Sequence, residues 1–174
     1  MNDVVKSLEE RRSCRKYDGR QVEPEKLEEI VEAGLWAASG MGQQATHLIL
    51  VQDPETIATL SRMNAQIMGS SGDPFYGAPT VVVVLADATR PTCVEDGALV
   101  MGNLMVAAHS LGVASCWIHR AHEEFETAEG KALLAKWGVE GDWRGVGHCL
   151  LGYAAEGGEK PGAARKAGRV TYVR

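Results

Sequence analysis

The chain has 174 residues, 45% of them hydrophobic, and a formal net charge of -5. That length suits one domain spanning residues 1–174, and the apolar share excludes a disordered chain. Net acidity argues against nucleic acid as the main partner, and no apolar run reaches the ~18 residues needed to cross a bilayer, so no membrane role is expected.

Residues 3–11, DVVKSLEER, place Val4, Val5 and Leu8 at helical spacing and predict a short helix. The opening stretch carries acids and lacks a long apolar run, which is not the pattern of a secretory leader. Cys14, Cys93, Cys116 and Cys149 form no CxxC pair and are expected to be reduced thiols of a cytoplasmic protein. Residues 22–39 predict a helix with Pro24 in its first turn and Leu27, Ile30, Val31, Gly34 and Leu35 on one face. A glycine-bearing loop, SGMG, follows. Residues 47–53 predict a strand, 54–68 a helix with Pro54 near its start, and 69–79 a loop. The β-branched run TVVVVLAD, 80–87, reads as a buried strand. The segment 93–112 is apolar on most faces and carries Gly97, Ala98, Gly102, Ala107 and Ala108. It predicts a helix buried in the core or in a subunit interface. A strand over 113–118, a helix over 123–139, a glycine-interrupted strand over 144–154 and a last short strand over 169–174 complete the chain. This order gives an α+β sheet with helices packed around it, without repeat or linker. The last strand is set apart by a Gly/Lys-rich segment, which points to a partner subunit's sheet as its home.

Charge is unevenly spread. RRSCRKYDGR, residues 11–20, holds five cations, Arg11, Arg12, Arg15, Lys16 and Arg20, and residues 160–174 hold five Lys or Arg with no Asp or Glu. Two basic ends repel unless an anion lies between them. One reading is two solvated tails. The other is convergence on one anion such as a phosphate, for which guanidinium forks and the Ser13 hydroxyl supply donors. The loop ASGMGQQ adds Ser39, Gly40, Gly42 and Gln44, whose backbone and amide groups suit the polar edge of a flat heteroaromatic ligand; a helix C-cap is the simpler reading.

Cys116, His119 and His122 are spaced three and three, a mixed set that suits zinc, yet no fourth ligand is evident and a strand-to-loop placement does not assure a shared face. A buried cysteine and surface histidines are the favoured reading. His148 and Cys149 are neighbours on a strand and point to opposite faces, so they read as core positions rather than a nucleophile pair. The phosphate-loop, GxGxxG, HExxH and GxSxG patterns are absent.

Four segments, in order, carry a resemblance that covers nearly the whole chain. RRSCRKYDGRQV resembles the R-R-S-x-R-x-[FY] motif of the FMN-dependent nitroreductase family. WAASGMGQQATHLILV is similar to that family's P-S-x-x-N-x-Q-P-W loop and strand. GNLMVAAHSLGVASCWIH resembles its long helix and flavin-facing strand, and ARKAGRVTYVR its basic C-terminal segment.

The resemblance implies a nitroreductase-like α+β fold, a central, mostly antiparallel sheet flanked by helices, in a domain-swapped homodimer that binds FMN at its subunit interface. By position, Arg11, Arg12, Ser13 and Arg15 would hold the FMN phosphate and ribityl chain, and Arg165, with Lys166 or Arg169, would close on the phosphate. Ser39, Gly40, Met41 and Gly42, with Gln44, would line the isoalloxazine from the other subunit. Trp117, Ile118 and His119 would run along the ring, with a backbone N–H near His119 reaching flavin N5. The chain departs from the family in having Gly42 for Asn, Ala45-Thr46 for Pro-Trp and Ala38 for Pro. The implied activity is ping-pong transfer of electrons from NADH or NADPH to an acceptor such as a nitroaromatic or quinone, with no side-chain general acid required. The departures leave open a flavin-binding sensor or carrier without turnover. An interaction module whose basic ends meet an acidic protein is a third reading.

Overall fold

A computed structural model describes residues 2–174. Its elements are α1 (Asp3–Glu10), α2 (Pro24–Leu35), β1 (Thr46–Val51), α3 (Pro54–Met68), β2 (Thr80–Asp87), α4 (Cys93–Ser110), β3 (Ala114–Ile118), α5 (Ala121–Glu126), α6 (Ala128–Lys136) and β4 (Trp143–Gly152), with a 3-10 turn at Gly40–Gly42. The strands form one antiparallel sheet in the order β1-β2-β4-β3.

β2 is an inner strand, and its six residues Val81 to Ala86 are all 0% exposed. Strand alternation splits them between two cores. Val81, Val83 and Leu85 pack with Leu60 of α3, Phe125 of α5 and Leu134 of α6. Val82, Val84 and Ala86 pack with Leu27 and Ile30 of α2 and with Met101 and Leu104 of α4. The result is helices on both faces of the sheet. Local signals set the helix ends where they are strong. The Asp53 carboxylate accepts the Thr56 N–H to start α3, and Gly69, at φ +69°, ends it.

Two expectations are corrected, and a third concerns pairing with a partner subunit's sheet, which a single chain does not contain. The helix over 123–139 is two helices, because Thr127 turns extended and its hydroxyl accepts the Gly130 N–H to start α6. Gly130 sits so close against the Glu124 carbonyl that a Cβ would overlap it. The helix over 22–39 stops at Leu35, which faces outward rather than joining Leu27, Ile30 and Gly34. Residues 169–174 form no strand, and Val170, Tyr172 and Val173 are exposed. The β3 edge of the chain's own sheet is already taken, by a parallel bridge from Ser13 to Ser115.

Apolar surface is left open elsewhere. α1 buries none of its residues, and Val4, Val5 and Leu8 are exposed, as are Val94 and Leu99 of α4. No helix among the described residues is long and apolar enough to cross a membrane.

β4 carries a bulge at Val146, where Leu85 pairs with Gly145 and Val84 with Gly147. Gly145 is pressed against the backbone of Ala121, so a side chain there has no room. Gly145→Ala should therefore destabilise the protein by about 1–3 kcal/mol, the usual cost of overpacking. A urea melt checks this, and an unchanged midpoint refutes the close approach.

Candidate functional site

The N-terminal segment is tied to the sheet by its backbone. The Cys14 N–H donates to the Ser115 carbonyl at 2.9 Å, the Arg15 N–H to the Gly158 carbonyl at 2.8 Å, and the Ala155 N–H to the Lys16 carbonyl at 3.0 Å. Cys14 and Tyr17 are buried and Arg15 and Lys16 between them are exposed, so the cations are turned outward. The segment after β4 runs alongside it, and this carries the second basic segment to the first.

Both segments line a hollow of about 700 Å³, formed by Arg11, Arg12, Ser13 and Arg15 on one side and Lys160 to Arg165 on the other. None of these cations has a carboxylate within 4.0 Å among the described residues. Arg12 instead donates to the Glu9 and Arg11 carbonyls, at 2.6 and 2.7 Å, and Arg165 to the Ala163 carbonyl at 2.6 Å. Arg11 Nη1 is buried without any hydrogen-bond partner. A buried guanidinium donor left unpaired is costly, and an anion in the hollow would satisfy it. Lys166 and Arg169 are exposed and lie outside the hollow's lining.

Arg15 also borders a second hollow, of about 220 Å³, with Met68, Pro74, Tyr76, Cys116, Trp117, Ile118, His119 and Arg120. It therefore joins a cationic end to a more apolar one. Trp117 is half-buried, and its indole covers Gly147, where a Cβ would strike the ring. The Ile118 side chain is committed to the core beside Phe125 while it borders the hollow, and His119 is exposed. Two residues of this wall, Tyr76 and Arg120, hold positive φ, 55° and 80°. Such strained backbone clusters where a surface must be shaped for a ligand.

The loop of Ser39 to Gln44 does not reach either hollow within one chain. Its shape is set by buried Asp96 at the start of α4, whose Oδ1 accepts the Gly40 N–H at 2.9 Å, and by Ser39 Oγ, which accepts the Gln44 N–H at 2.9 Å. Gly40 is required because a Cβ would overlap the Thr92 hydroxyl. The loop turns outward, with Met41 87% exposed. Within one chain Gly40, Met41 and Gln43 line a separate small hollow of about 100 Å³ with Arg90, Pro91, Thr92 and Asp96.

Among the described residues no three His, Cys, Asp or Glu side chains group as a metal site, so Cys116, His119 and His122 are not brought together as ligands. His148 and Cys149 are both fully buried, in opposite cores, and do not pair. Sequence reasoning missed Lys160, Met68, Tyr76 and Arg120 in the hollows, and it missed Asn64 and Glu124 beneath them. Charge alone marked Lys160, and HRAH contained Arg120, but nothing local showed that a loop and a strand end would meet there. A comparably large hollow, about 690 Å³, lies between α3 and residues 70–79. Its Arg62 is paired with Glu129, and Asp73 already accepts from Ser61 and from the Phe75 and Gly77 N–H groups, so its charges are satisfied.

Three comparisons with known proteins bear on this arrangement. The family model described as the nitroreductase family matches residues 8–153. A Bacteroides fragilis nitroreductase crystallised with FMN superposes with a TM-score of 0.92 at 32% identity, covering 100% of both chains. A Methanothermobacter thermautotrophicus relative, provisionally named an NADH dehydrogenase/NAD(P)H nitroreductase, is 28% identical over 119 residues, 66% of this chain. An NAD(P)H-dependent FMN reductase of Bacillus subtilis is 35% identical over 91 residues, 52% of this chain. The matches span 60% and 34% of the lengths of these last two.

Burial pushes the Cys116 thiol up, only partly offset by Arg15, Ser13 and Arg11, and burial raises Cys14 and Cys149 as well. A protonated, enclosed thiol is a poor nucleophile. Iodoacetamide at pH 8 should leave these three cysteines unmodified in the folded protein and modify them in urea. Peptide mass spectrometry reads the difference, and fast native labelling of Cys116 would show it to be a reactive group.

Proposed function

Because the chain belongs to the nitroreductase family, we propose that it is an FMN-dependent oxidoreductase that carries electrons from NADH or NADPH to a small organic acceptor such as a nitroaromatic or quinone. The observation that carries this reading is the cationic hollow. Two basic segments from opposite ends of an acidic chain meet there, and although Glu9 also lines the hollow, none of its cations has a carboxylate within 4.0 Å among the described residues. A phosphate monoester is the anion that such a set of guanidiniums and one hydroxyl fits.

In this reading Arg11, Arg12, Ser13 and Arg15 hold the phosphate and ribityl chain, with Lys160 and Arg165 closing from the other segment. Arg15 spans both hollows and sets the direction from phosphate to ring. Trp117, Ile118 and His119 run along the ring. Bound FMN supplies the hydride and electron chemistry, alternating between reductant and acceptor. The chain's own work is to bind, orient and wall off. Ser39, Gly40, Met41, Gly42 and Gln44 complete the wall for a second copy of the chain, since they turn away from their own hollows. A homodimer also gives the apolar faces of α1 and α4 a place to be buried. Lys166 and Arg169, free of the hollow in one chain, join the phosphate end only in that assembly.

A second reading, a flavin-binding sensor or carrier without turnover, is favoured by one observation. Gly42, Ala45 and Thr46 leave the outward loop without the family's Asn and Pro-Trp side chains. The purified protein should be yellow, and NADH or NADPH should bleach its flavin band. Steady oxidation of the nucleotide with any of a panel of nitroaromatics, quinones and flavins excludes the sensor. A colourless protein that takes up no added FMN refutes both readings.

The cationic grip has its own test. A charged hydrogen bond is worth about 1.5–3 kcal/mol, so Arg15→Ala should weaken FMN binding by roughly ten- to a hundredfold. The melting temperature of the FMN-free protein should not fall, because the Arg15 side chain is exposed and unpaired and its removal relieves repulsion among the hollow's cations. Fluorescence titration measures the affinity, and an unchanged value refutes the placement of Arg15.

A further inference from the structure

Beneath the second hollow, three buried polar side chains converge on one turn of backbone. Asn64 of α3, Glu124 of α5 and His148 of β4 are each 0% exposed. Asn64 Nδ2 donates to the His119 carbonyl at 2.7 Å and also to Glu124 Oε1, while its Oδ1 accepts from Arg120 Nε at 2.9 Å. Glu124 Oε2 meets His148 Nε2 at 2.9 Å. His148 in turn packs against the rings of Phe75 and Phe125. These partners fix the amide's orientation, since a flipped Asn64 would turn its NH₂ to a guanidinium and its carbonyl to a carboxylate.

The turn they hold is a strained one. Arg120 sits at φ +80°, where an L side chain is disfavoured and from which glycine is absent here. The His119 carbonyl and the Arg120 N–H belong to one planar trans peptide, so they point in opposite directions. Anchoring the carbonyl on Asn64, in the core, therefore turns the Arg120 N–H outward, toward the hollow lined by Trp117 and His119. That N–H makes no hydrogen bond among the described residues. Filling this part of the core does not require polar groups. An apolar trio of similar volume would avoid the cost of burying a carboxylate, whereas these hydrogen bonds fix one geometry, with only His148 Nδ1 of the three side chains left without a partner.

We propose that Asn64 is a positioning residue for the electron-transfer site: braced by Glu124 and His148, it holds the His119–Arg120 peptide in its left-handed turn with the N–H presented to the bound ring. This rests on the FMN reading of the site. It makes the ring-facing donor a product of α3, α5 and β4 together, not of the loop alone.

Asn64→Leu and Glu124→Leu remove the brace. Glu124→Gln keeps it, because its carbonyl still accepts from Asn64 and its amide can donate to a neutral His148. The readouts are FMN affinity, the two-electron midpoint potential of bound FMN, and amide hydrogen exchange over residues 117–124 in FMN-free protein. Both leucine variants should keep FMN affinity within about tenfold, since the cationic grip is untouched, and shift the potential by about 30 mV or more, a tenfold change in the ratio of affinities for oxidised and reduced flavin. Exchange over 117–124 should accelerate in both, and Glu124→Gln should match the natural chain in all three measurements. An unchanged potential in Asn64→Leu overturns the proposal. So does a shift in Glu124→Gln as large as that in Glu124→Leu, which would make the carboxylate's charge the cause. If the leucine variants do not fold, Asn64→Ser, too short to bridge His119 and Glu124, takes their place with the same expected and overturning results. A natural chain that takes up no FMN refutes the proposed function instead. The exchange measurement still tests the brace in that case, and unchanged exchange in Asn64→Leu or Asn64→Ser overturns it.

Discussion

The Cys14 N–H donates to the Ser115 carbonyl and the Arg15 N–H to the Gly158 carbonyl, and these two bonds set the position of the cations that line the cationic hollow. They lay residues 13–17 between the edge of β3 and the segment that leaves β4. The backbone path of this short stretch then does the sorting. Cys14 and Tyr17 go into the core, while Arg15 and Lys16 go out. Because the chain leaves β4 beside the same stretch, Lys160 to Arg165 arrive opposite Arg11 and Arg12. Burial of Cys14 thus anchors a charged surface, and the thiol's chemistry has no part in it.

Bringing those cations together is unfavourable in itself. Two like charges 4 Å apart near a protein surface repel by about 4 kcal/mol at an effective dielectric constant of 20. Surface ion pairs elsewhere in this chain, such as Arg20 with Asp18 and Arg90 with Asp87, show the ordinary way of discharging such a cost. The hollow lacks that device, and Arg11 Nη1 has no acceptor at all. The fold supplies the energy that keeps the cations close, through the apolar burial of both cores. A bound dianion would turn the repulsion into attraction, which is why the charge distribution, more than the shape, argues for a phosphate.

The sequence was legible where structure is local. TVVVVLAD is β2 to the residue, and PETIATLSRMNAQIM is α3, because a β-branched run and a capped helix carry their own signals. The α5–α6 break was not legible, since it depends on Gly130 packing against the Glu124 carbonyl, a tertiary contact. The same error hid Glu124: on one continuous amphipathic helix it is another surface acid beside Glu123, and only the short α5 turns it into the core toward His148. Convergence of the two basic ends was one of two readings that charge alone allowed, and the backbone ties of residues 14 and 15 decide between them. The segment 169–174 has strand composition but pairs with no strand of its own chain, where the β3 edge is already bridged by Ser13, so its expected pairing with a partner subunit's sheet lies outside one molecule.

Gly42 sharpens the question of what faces the outward loop. Its φ is +65°, a conformation that asparagine tolerates better than other non-glycine residues, and a Cβ there would meet nothing within 4 Å. Space does not restrict this position, but the left-handed backbone itself favours glycine, whereas at Gly40 it is the Thr92 hydroxyl that a Cβ would crowd. A second influence on this position lies outside the single chain. In the proposed assembly that is the ring edge held by the partner, and the acceptor that stacks there. In that proposed assembly a side chain removed at this point opens space over the ring, whereas the proposed phosphate grip keeps Arg11, Arg12, Ser13 and Arg15. Divergence confined to the ring end fits a protein that has kept its cofactor and changed what reaches it.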